Sequence, residues 1–376
     1  MNRKLLVLAV GAAMTLPLAA QAAPTLYGKL DLSLDYANVD VQGSPKENNW
    51  QVNSNSSTLG VKGAENLGSG LAAIYDIEYS IDGSGMHSND NGSQYGDLFA
   101  RDRFAGLKSD SLGTVRLGRF GSPLKMAAGS VDVFAGQRYA DMGNPDGALI
   151  VDGQNWLSGA VGYTSPKFGD ALTVDLAVQP REQPHGKGGT SVALNYDMSN
   201  VHLALAGDFG VQDGLYDPSN VGSGYTSTMD MRRDTIRLVG SVDVGQATLG
   251  ALLQQSKQTD KANGWFDPLQ DGGSNVFPLM GSKADKDSVL VSAALHLDKA
   301  NTLKGELGYN KTKFDSAAGE YETDFVGAGL DHNFTQATKI YGLVAYRNLK
   351  PNDTAKANGA TDDKRTSVSL GIQTLF

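Results

Sequence analysis

The chain has 376 residues, no cysteine, 46 glycines, 40% hydrophobic and 19% charged residues, and a formal net charge of −9. Zero cysteines exclude disulfide staples, thiolate metal sites and a cysteine nucleophile. The acidic balance argues against a nucleic-acid partner, which calls for a basic footprint. High glycine is also a composition of disorder, but 14 Tyr, 12 Phe and many Val and Leu speak against it. The length would ordinarily suggest two or three domains, yet the same texture runs from about residue 24 to the end, so nothing divides it.

Residues Met1 to Ala22 read as a secretory leader: Arg3 and Lys4 form the basic start, Leu5 to Ala20 the apolar stretch, and Ala20-Gln21-Ala22 the small-residue cleavage site. An anchoring helix would need a longer apolar run. Removing the leader leaves 30 basic residues against 41 acidic ones, a net charge of −11. Beyond Ala22 no run of 18 apolar residues follows, so no transmembrane helix is expected.

From Thr25 on, the sequence is written in period two. Leu26, Gly28, Leu30, Leu32, Leu34 and Tyr36 share one face, while Tyr27, Lys29, Asp31, Ser33 and Asp35 share the other. Side chains of a strand alternate between its faces, so one side is apolar and the other charged. Leu71, Ala73, Tyr75, Ile77, Tyr79 and Ile81 likewise alternate with Asp76, Glu78 and Ser80. Such alternation predicts sixteen strands: 25–37, 56–65, 70–82, 98–108, 113–120, 156–165, 171–179, 190–198, 200–210, 234–244, 246–256, 287–298, 301–314, 321–333, 337–348 and 366–376. Hairpin-sized links, such as 66–69, 109–112, 199, 245 and 299–300, alternate with long polar excursions at 38–55, 83–97, 121–155, 211–233, 257–286 and 349–365. Short turns on one rim and long loops on the other are the pattern of an outer-membrane β-barrel, and an even strand count lets it close without edges. A soluble sandwich also alternates, but has no reason to gather its long loops at one end. Both chain ends are expected on the short-turn rim. Tyr36, Tyr79, Phe99, Tyr163, Tyr196, Tyr309, Phe325, Tyr341 and Tyr346 near strand ends read as interfacial aromatics.

Several strings imitate chemistry. Gly68-Ser69-Gly70-Leu71-Ala72-Ala73 fits a dinucleotide glycine pattern, but that motif needs a helix after it and here a strand pattern continues. His87, His185, His202, His296 and His332 are scattered with no pair at metal-ligand spacing, so no metal and no cofactor is expected. Ser88-Asn89-Asp90-Asn91-Gly92-Ser93 has the flavour of a calcium loop without its terminal acid, and reads as a solvated loop.

With Thr25-Leu26-Tyr27-Gly28 after the leader, Leu112-Gly113-Thr114-Val115-Arg116 farther on and Phe376 at the end, the chain resembles the Gram-negative trimeric porins. Thr25-Leu26-Tyr27-Gly28 looks like their first strand, Thr58-Leu59-Gly60-Val61-Lys62-Gly63-Ala64-Glu65-Asn66-Leu67-Gly68 like their second strand and turn. Phe104-Ala105-Gly106-Leu107-Lys108 and Leu112-Gly113-Thr114-Val115-Arg116-Leu117-Gly118-Arg119 look like the fourth and fifth strands, and Phe376 like the terminal aromatic read by the assembly machinery. The resemblance implies an all-β, sixteen-stranded antiparallel transmembrane barrel over residues 23–376. It further implies a homotrimer in the cell outer membrane, surrounded by lipid including lipopolysaccharide and passing ions and small hydrophilic solutes. It also implies that the third long loop, about 121–155, folds inward and narrows the pore, its carboxylates facing basic residues across the gap. Candidates for that constriction are Asp132, Asp141, Asp146 and Asp152 on the loop, with Arg101, Arg103, Arg116 and Arg119 opposite. Arg101 and Arg103 share strand parity, which makes a lumen-facing pair. Arg119 shares parity with Leu117 and is placed at the bend into the loop. Lys29, Asp31, Lys62, Asp76 and Glu78 are further lumen-facing candidates. Thr58 stands where many members have an arginine, so the basic cluster is thinner here. A barrel enzyme would need a nucleophile, base and orienting group in reach, which five scattered histidines do not suggest. A barrel adhesin or receptor, or a solute-specific channel, is the alternative left open by the long loops.

Overall fold

In a computed structural model, the structure describes residues 23–43, 45–85, 98–144, 146–180, 188–212, 232–259, 283–315 and 319–376. The leader, His87, His185, the stretch Ser88–Ser93 and most of the excursions 83–97, 211–233 and 257–286 lie outside the described residues. The strands are β1 (Thr25–Val41), β2 (Glu47–Ser54), β3 (Thr58–Gly68), β4 (Leu71–Ile81), β5 (Leu98–Ser109), β6 (Gly113–Gly121), β7 (Trp156–Thr164), β8 (Leu172–Gln179) and β9 (Gly189–Met198). They continue with β10 (Val201–Gln212), β11 (Arg232–Val244), β12 (Ala247–Gln258), β13 (Ala284–His296), β14 (Asn301–Phe314), β15 (Glu320–Asn333), β16 (Thr338–Pro351) and β17 (Asp363–Leu375). Two short helices interrupt them, α1 (Pro123–Ala127) and α2 (Asp353–Ala357).

Among the described residues each strand pairs antiparallel with the next in sequence, β2 with β3 excepted, and β1 pairs with β17, so the sheet closes on itself. β2 and β3 both pair with β1 and together make one stave, broken at residues 55–57 where Ser56 takes a positive φ of 52°. The result is a closed sixteen-strand antiparallel barrel. Both ends of the described chain lie on the short-turn rim: Gly28 and Phe376 exchange backbone hydrogen bonds of 2.9 and 3.1 Å. The string Gly68–Ala73 is a hairpin turn, with β4 and not a helix following it.

One expected excursion is not a loop. Residues 38–55 are mostly strand, because β1 runs on to Val41 and β2 begins at Glu47. Five asparagines mask the alternation that is there: Trp50 and Val52 of β2 stand outward opposite Tyr36 and Leu34, while Val39 and Val41 pass to the inner parity of β1.

The amphipathicity is inverted with respect to a water-soluble protein. Outside, Leu26 is 62% and Leu370 64% exposed, and Leu117, Ile236, Leu253, Leu307 and Val344 are exposed with them. Inside, Arg237 is 0% and Arg347 2% exposed, and Asp31, Asp208 and Glu306 are buried. Exposing rows of leucine to water forfeits about 25 cal/mol for each Å², and enclosing ions away from partners costs several kcal/mol each. That arrangement is stable only if hydrocarbon lies outside and polar matter inside. Three of the expected interfacial aromatics instead stand on the inward face: Phe99 is in register with Ser80, Phe325 stands opposite the buried Arg347, and the Tyr341 hydroxyl donates to Asp31 Oδ1 at 2.7 Å.

Candidate functional site: the segment 122–155 and the facing wall

Between β6 and β7 the chain leaves the wall for residues 122–155. It starts with α1, whose N-cap Ser122 accepts a hydrogen bond from the Lys125 backbone N–H at 3.1 Å while Pro123 fills the first turn. The segment then carries an apolar ridge of Leu124, Val131, Phe134, Met142, Ile150 and Val151, all buried. The ridge packs on inward-facing wall residues, among them Ala193, Ala204, Val239, Leu252, Leu290, Phe325 and Leu343. Close approach is possible because the wall is cut away beneath it. A Cβ on Gly250 would sit 2.9 Å from Val131, and one on Gly308 would overlap Ile150.

Polar anchors from the same wall satisfy the segment's backbone, which a buried loop requires. Arg237 Nη1 donates to the Leu124 carbonyl at 3.0 Å, its Nη2 to the Asp152 carbonyl at 2.6 Å, and its Nε to Gln254 Oε1 at 2.7 Å. Ser288 Oγ donates to the Ile150 carbonyl and Asn310 Nδ2 to the Leu149 carbonyl, each at 2.7 Å. Arg347 Nη1 donates to the Gly147 carbonyl at 3.1 Å and its Nη2 binds Asp363 at 2.9 Å.

The four predicted loop acids have four different settings. Asp152 pairs with Arg233 at 3.3 Å and Lys286 at 3.2 Å. Burial raises its pKa, but those two cations outweigh burial and hold the carboxyl below the usual range. Asp146 pairs with Arg365 at 2.9 Å and Arg138 at 2.8 Å. Asp141 accepts from the Gly136 and Gly143 backbone N–H groups at 2.7 and 2.9 Å, which fixes a turn within the segment. Asp132 accepts from the Phe134 N–H at 3.2 Å; burial, and next the charge of Asp141, push its pKa well up.

None of these acids is paired with the predicted arginines. Arg101 faces inward, but its ion pair is with Glu78 of the adjacent strand. Arg116 also faces inward, its guanidinium 5.5 Å from the Phe104 ring and 4.7 Å from the Phe120 ring. Arg103 and Arg119 stand opposite each other on the outward face, in register with the exposed Ile77 and beside the Ala105–Leu117 pair. The expected lumen-facing pair of Arg101 and Arg103 is therefore corrected. Register shifts between Ile77 and Tyr79, whose partners are Arg103 and Ala100, so Arg101 and Asp102 together oppose Glu78. A bulge of this kind inserts one residue and turns every side chain beyond it to the other face.

The remaining candidates line the inner wall. Lys29 lies 3.8 Å from Asp31, Lys62 lies 4.5 Å from the Tyr27 ring centre, and the Tyr27 hydroxyl donates to Asp76 at 2.7 Å. Lys304 and Lys339 flank Asp331 at 3.1 and 2.8 Å. Where the segment approaches this wall, a cation from each side meets one indole: Lys125 Nζ is 4.1 Å and the Arg101 guanidinium 4.8 Å from the Trp156 ring centre. Trp156 Nε1 donates to Asp102 at 2.9 Å, which fixes the ring. Burial lowers the Lys125 pKa, the nearby Arg101 and Arg237 lower it further, and Asp141 opposes them. Sequence reading missed Lys125, Trp156, Arg233, Arg237, Lys286, Arg347 and Arg365. The strand residues among them carried a legible signal, since Arg233, Thr235 and Arg237, or Arg365, Ser367 and Ser369, recur on the polar parity of their strands.

A profile of the family described as Gram-negative porin matches residues 7–352. An outer membrane porin protein of Bordetella pertussis is 34% identical, with both chains covered in full. The anion-selective porin from Comamonas acidovorans has the same fold, with a TM-score of 0.68 at 22% identity over 94% of this chain and 99% of that one. The in-vitro folded OmpT of Vibrio cholerae, in its trimer form, aligns with a TM-score of 0.61 at 14% identity over 95% of this chain and 100% of that one. Inverted amphipathicity, a closed barrel and these relatives lead to one conclusion: this chain belongs to the Gram-negative porin family, a channel protein of the cell outer membrane and not an enzyme.

Proposed function

We propose that the channel passes ions and small hydrophilic solutes by passive diffusion through a passage narrowed by the segment 122–155, and that it favours anions. The carrying observation is the meeting of Lys125 and Arg101 on the Trp156 ring, between the start of the segment and the strand wall. Lys29, Lys304 and Lys339 extend the same cationic track, and their acid partners Asp31 and Asp331 are more deeply buried than they are. A solute in the water beside this track meets lysine and arginine heads first, and a field of one sign raises the local concentration of the opposite one. Of the predicted constriction, Arg101 and Arg116 stay with this reading on the wall side. Asp132, Asp141, Asp146 and Asp152 serve to hold the segment in place. Anion selectivity named for the Comamonas acidovorans protein supports the same preference.

The working unit is a homotrimer in outer-membrane lipid including lipopolysaccharide, a reading supported by the trimer form of the Vibrio cholerae neighbour. Residues 1–22 act as the export leader, removed before the barrel of residues 23–376 assembles. Planar-bilayer recordings under a salt gradient test the function: the expected reversal potential has the sign of anion preference, and a cation-selective channel would overturn the assignment of the track.

A further inference from the structure

Along α1 the side chains of Leu124, Ala127 and Ala128 are buried against the wall, which leaves Lys125 and Met126 on the face turned to the passage. Met126 is 67% exposed, while the apolar ridge that follows it in the segment is buried. Among the described residues of 122–155 it is the one large apolar side chain left in the open. Its sulfur lies over Gly121, 3.0 Å from where a Cβ would stand, and Gly121 is in register with Trp156. A side chain at 121 would displace the sulfur. Thioether, ammonium and indole therefore meet at one level of the wall.

The cations there keep donors in reserve. Among the described residues Lys125 Nζ has no carboxylate at ion-pair distance and one hydrogen-bond acceptor, Gln154 Oε1 at 3.4 Å, besides the Trp156 ring. An ammonium carries three donors, so two are left for a solute. Arg101 commits Nε to Glu78 and Nη1 to Ser80 Oγ at 3.4 Å, and its Nη2 has no acceptor among the described residues. The carboxylates of this wall are already engaged, Glu78 by Arg101 and Asp102 by the Trp156 Nε1–H. We infer that this corner is a subsite for small organic acids that carry an apolar body: the carboxylate accepts hydrogen bonds from Lys125 and Arg101, and the hydrocarbon lies on Met126. The inference rests on the anion preference proposed above and names the solute class that gains most from it. Chloride and acetate satisfy the cations alone. An acid the size of benzoate also takes out of water the apolar surface that Met126 exposes. A thioether, unbranched and polarisable, adapts to rings and aliphatic chains alike.

Planar-bilayer recordings of the purified protein in potassium chloride test this, with benzoate, acetate or benzylammonium added. Benzoate should interrupt the current at concentrations about five- to tenfold lower than acetate, the gain from covering roughly 50 Å² of apolar surface. Benzylammonium, with the same ring and the opposite charge, should not interrupt it. Met126→Gln should bring benzoate to the level of acetate, Met126→Leu should keep the difference, and Lys125→Gln should weaken the action of both acids. The reversal potential, read on the same membranes, separates the two readings. An anion-selective channel that treats benzoate and acetate alike would overturn the subsite and leave the anion preference standing, as would a Met126→Gln channel that still tells them apart. Interruption by benzylammonium as strong as by benzoate would overturn the part given to Lys125 and Arg101. A cation-selective channel would overturn both readings.

Discussion

Arg237 and Arg101 are the same side chain on inward faces of two opposite walls, and they do different work. Arg237 is fully buried beneath the segment 122–155, with its hydrogen bonds spent on two backbone carbonyls and Gln254. Arg101 stays 25% exposed in its side chain, paired with Glu78 and leaning on Trp156. What separates them is water. Once a loop excludes it, a guanidinium must find protein acceptors and becomes a fastener. Where water remains, the same charge is only partly neutralised and still acts on passing ions. The wall groups hydrogen-bonded to the segment, which include Asp31, Asn53 and Asn55 beside β9 to β17, are thus its foundation, and Arg101, Lys29, Lys304 and Lys339 stand on the side that solutes meet.

This division can be broken first at its strongest point. Asp152→Ala leaves Arg233 and Lys286 buried without their carboxylate, and losing one partner of such a pair costs about 3–5 kcal/mol. The expected outcome is a clear fall in the unfolding temperature of the purified protein, with noisier single-channel currents as the segment loosens. Arg237→Leu removes the donors to the Leu124 and Asp152 carbonyls, at about 1–3 kcal/mol for each buried group left unpaired. Its mark should be a wider, higher-conductance channel more than a change of ion preference. If either variant shifted selectivity strongly and left stability untouched, the foundation wall would have to be counted as part of the ion path.

On the open wall the expected effects are smaller and of the other kind. Lys125→Gln and Arg101→Gln should each move the reversal potential toward cations with little loss of stability. Partly exposed charges are worth about 0.5–1 kcal/mol, so the permeability ratio should change about two- to fivefold. Lys125 also gives the channel a pH signature. Its pKa is lowered by burial and by neighbouring cations, so it loses its proton at a lower pH than an ordinary lysine. Anion preference should therefore begin to fall as pH rises, before surface lysines titrate, and Lys125→Gln should abolish that early step. Smallest of all is Arg119→Gln, which faces outward and should leave the reversal potential where it was.

Much of the barrel was legible because strand parity is a local property. Leu26 to Tyr36 against Tyr27 to Asp35 announces one apolar and one charged face from residue types alone, and the short and long links order the rims. Lys29, Asp31, Lys62, Asp76 and Glu78 follow from the same parity and line the inner wall. Parity fails where the backbone inserts a residue. Arg101 and Arg103 look equivalent in sequence, and only the pairing of Ile77 with Arg103 and Tyr79 with Ala100 reveals the bulge that sends one inward and the other outward. It is masked at 38–55, where Val39 and Val41 pass to the inner parity and asparagines surround the outward Trp50 and Val52. The wall partners of Asp146 and Asp152 lie farther out of sight still, on strands 80 or more residues away in the chain. Alternation is written by neighbours in the sequence, but which charge meets which across a closed barrel is decided by its curvature and by the path of the segment inside it, and no local pattern encodes either.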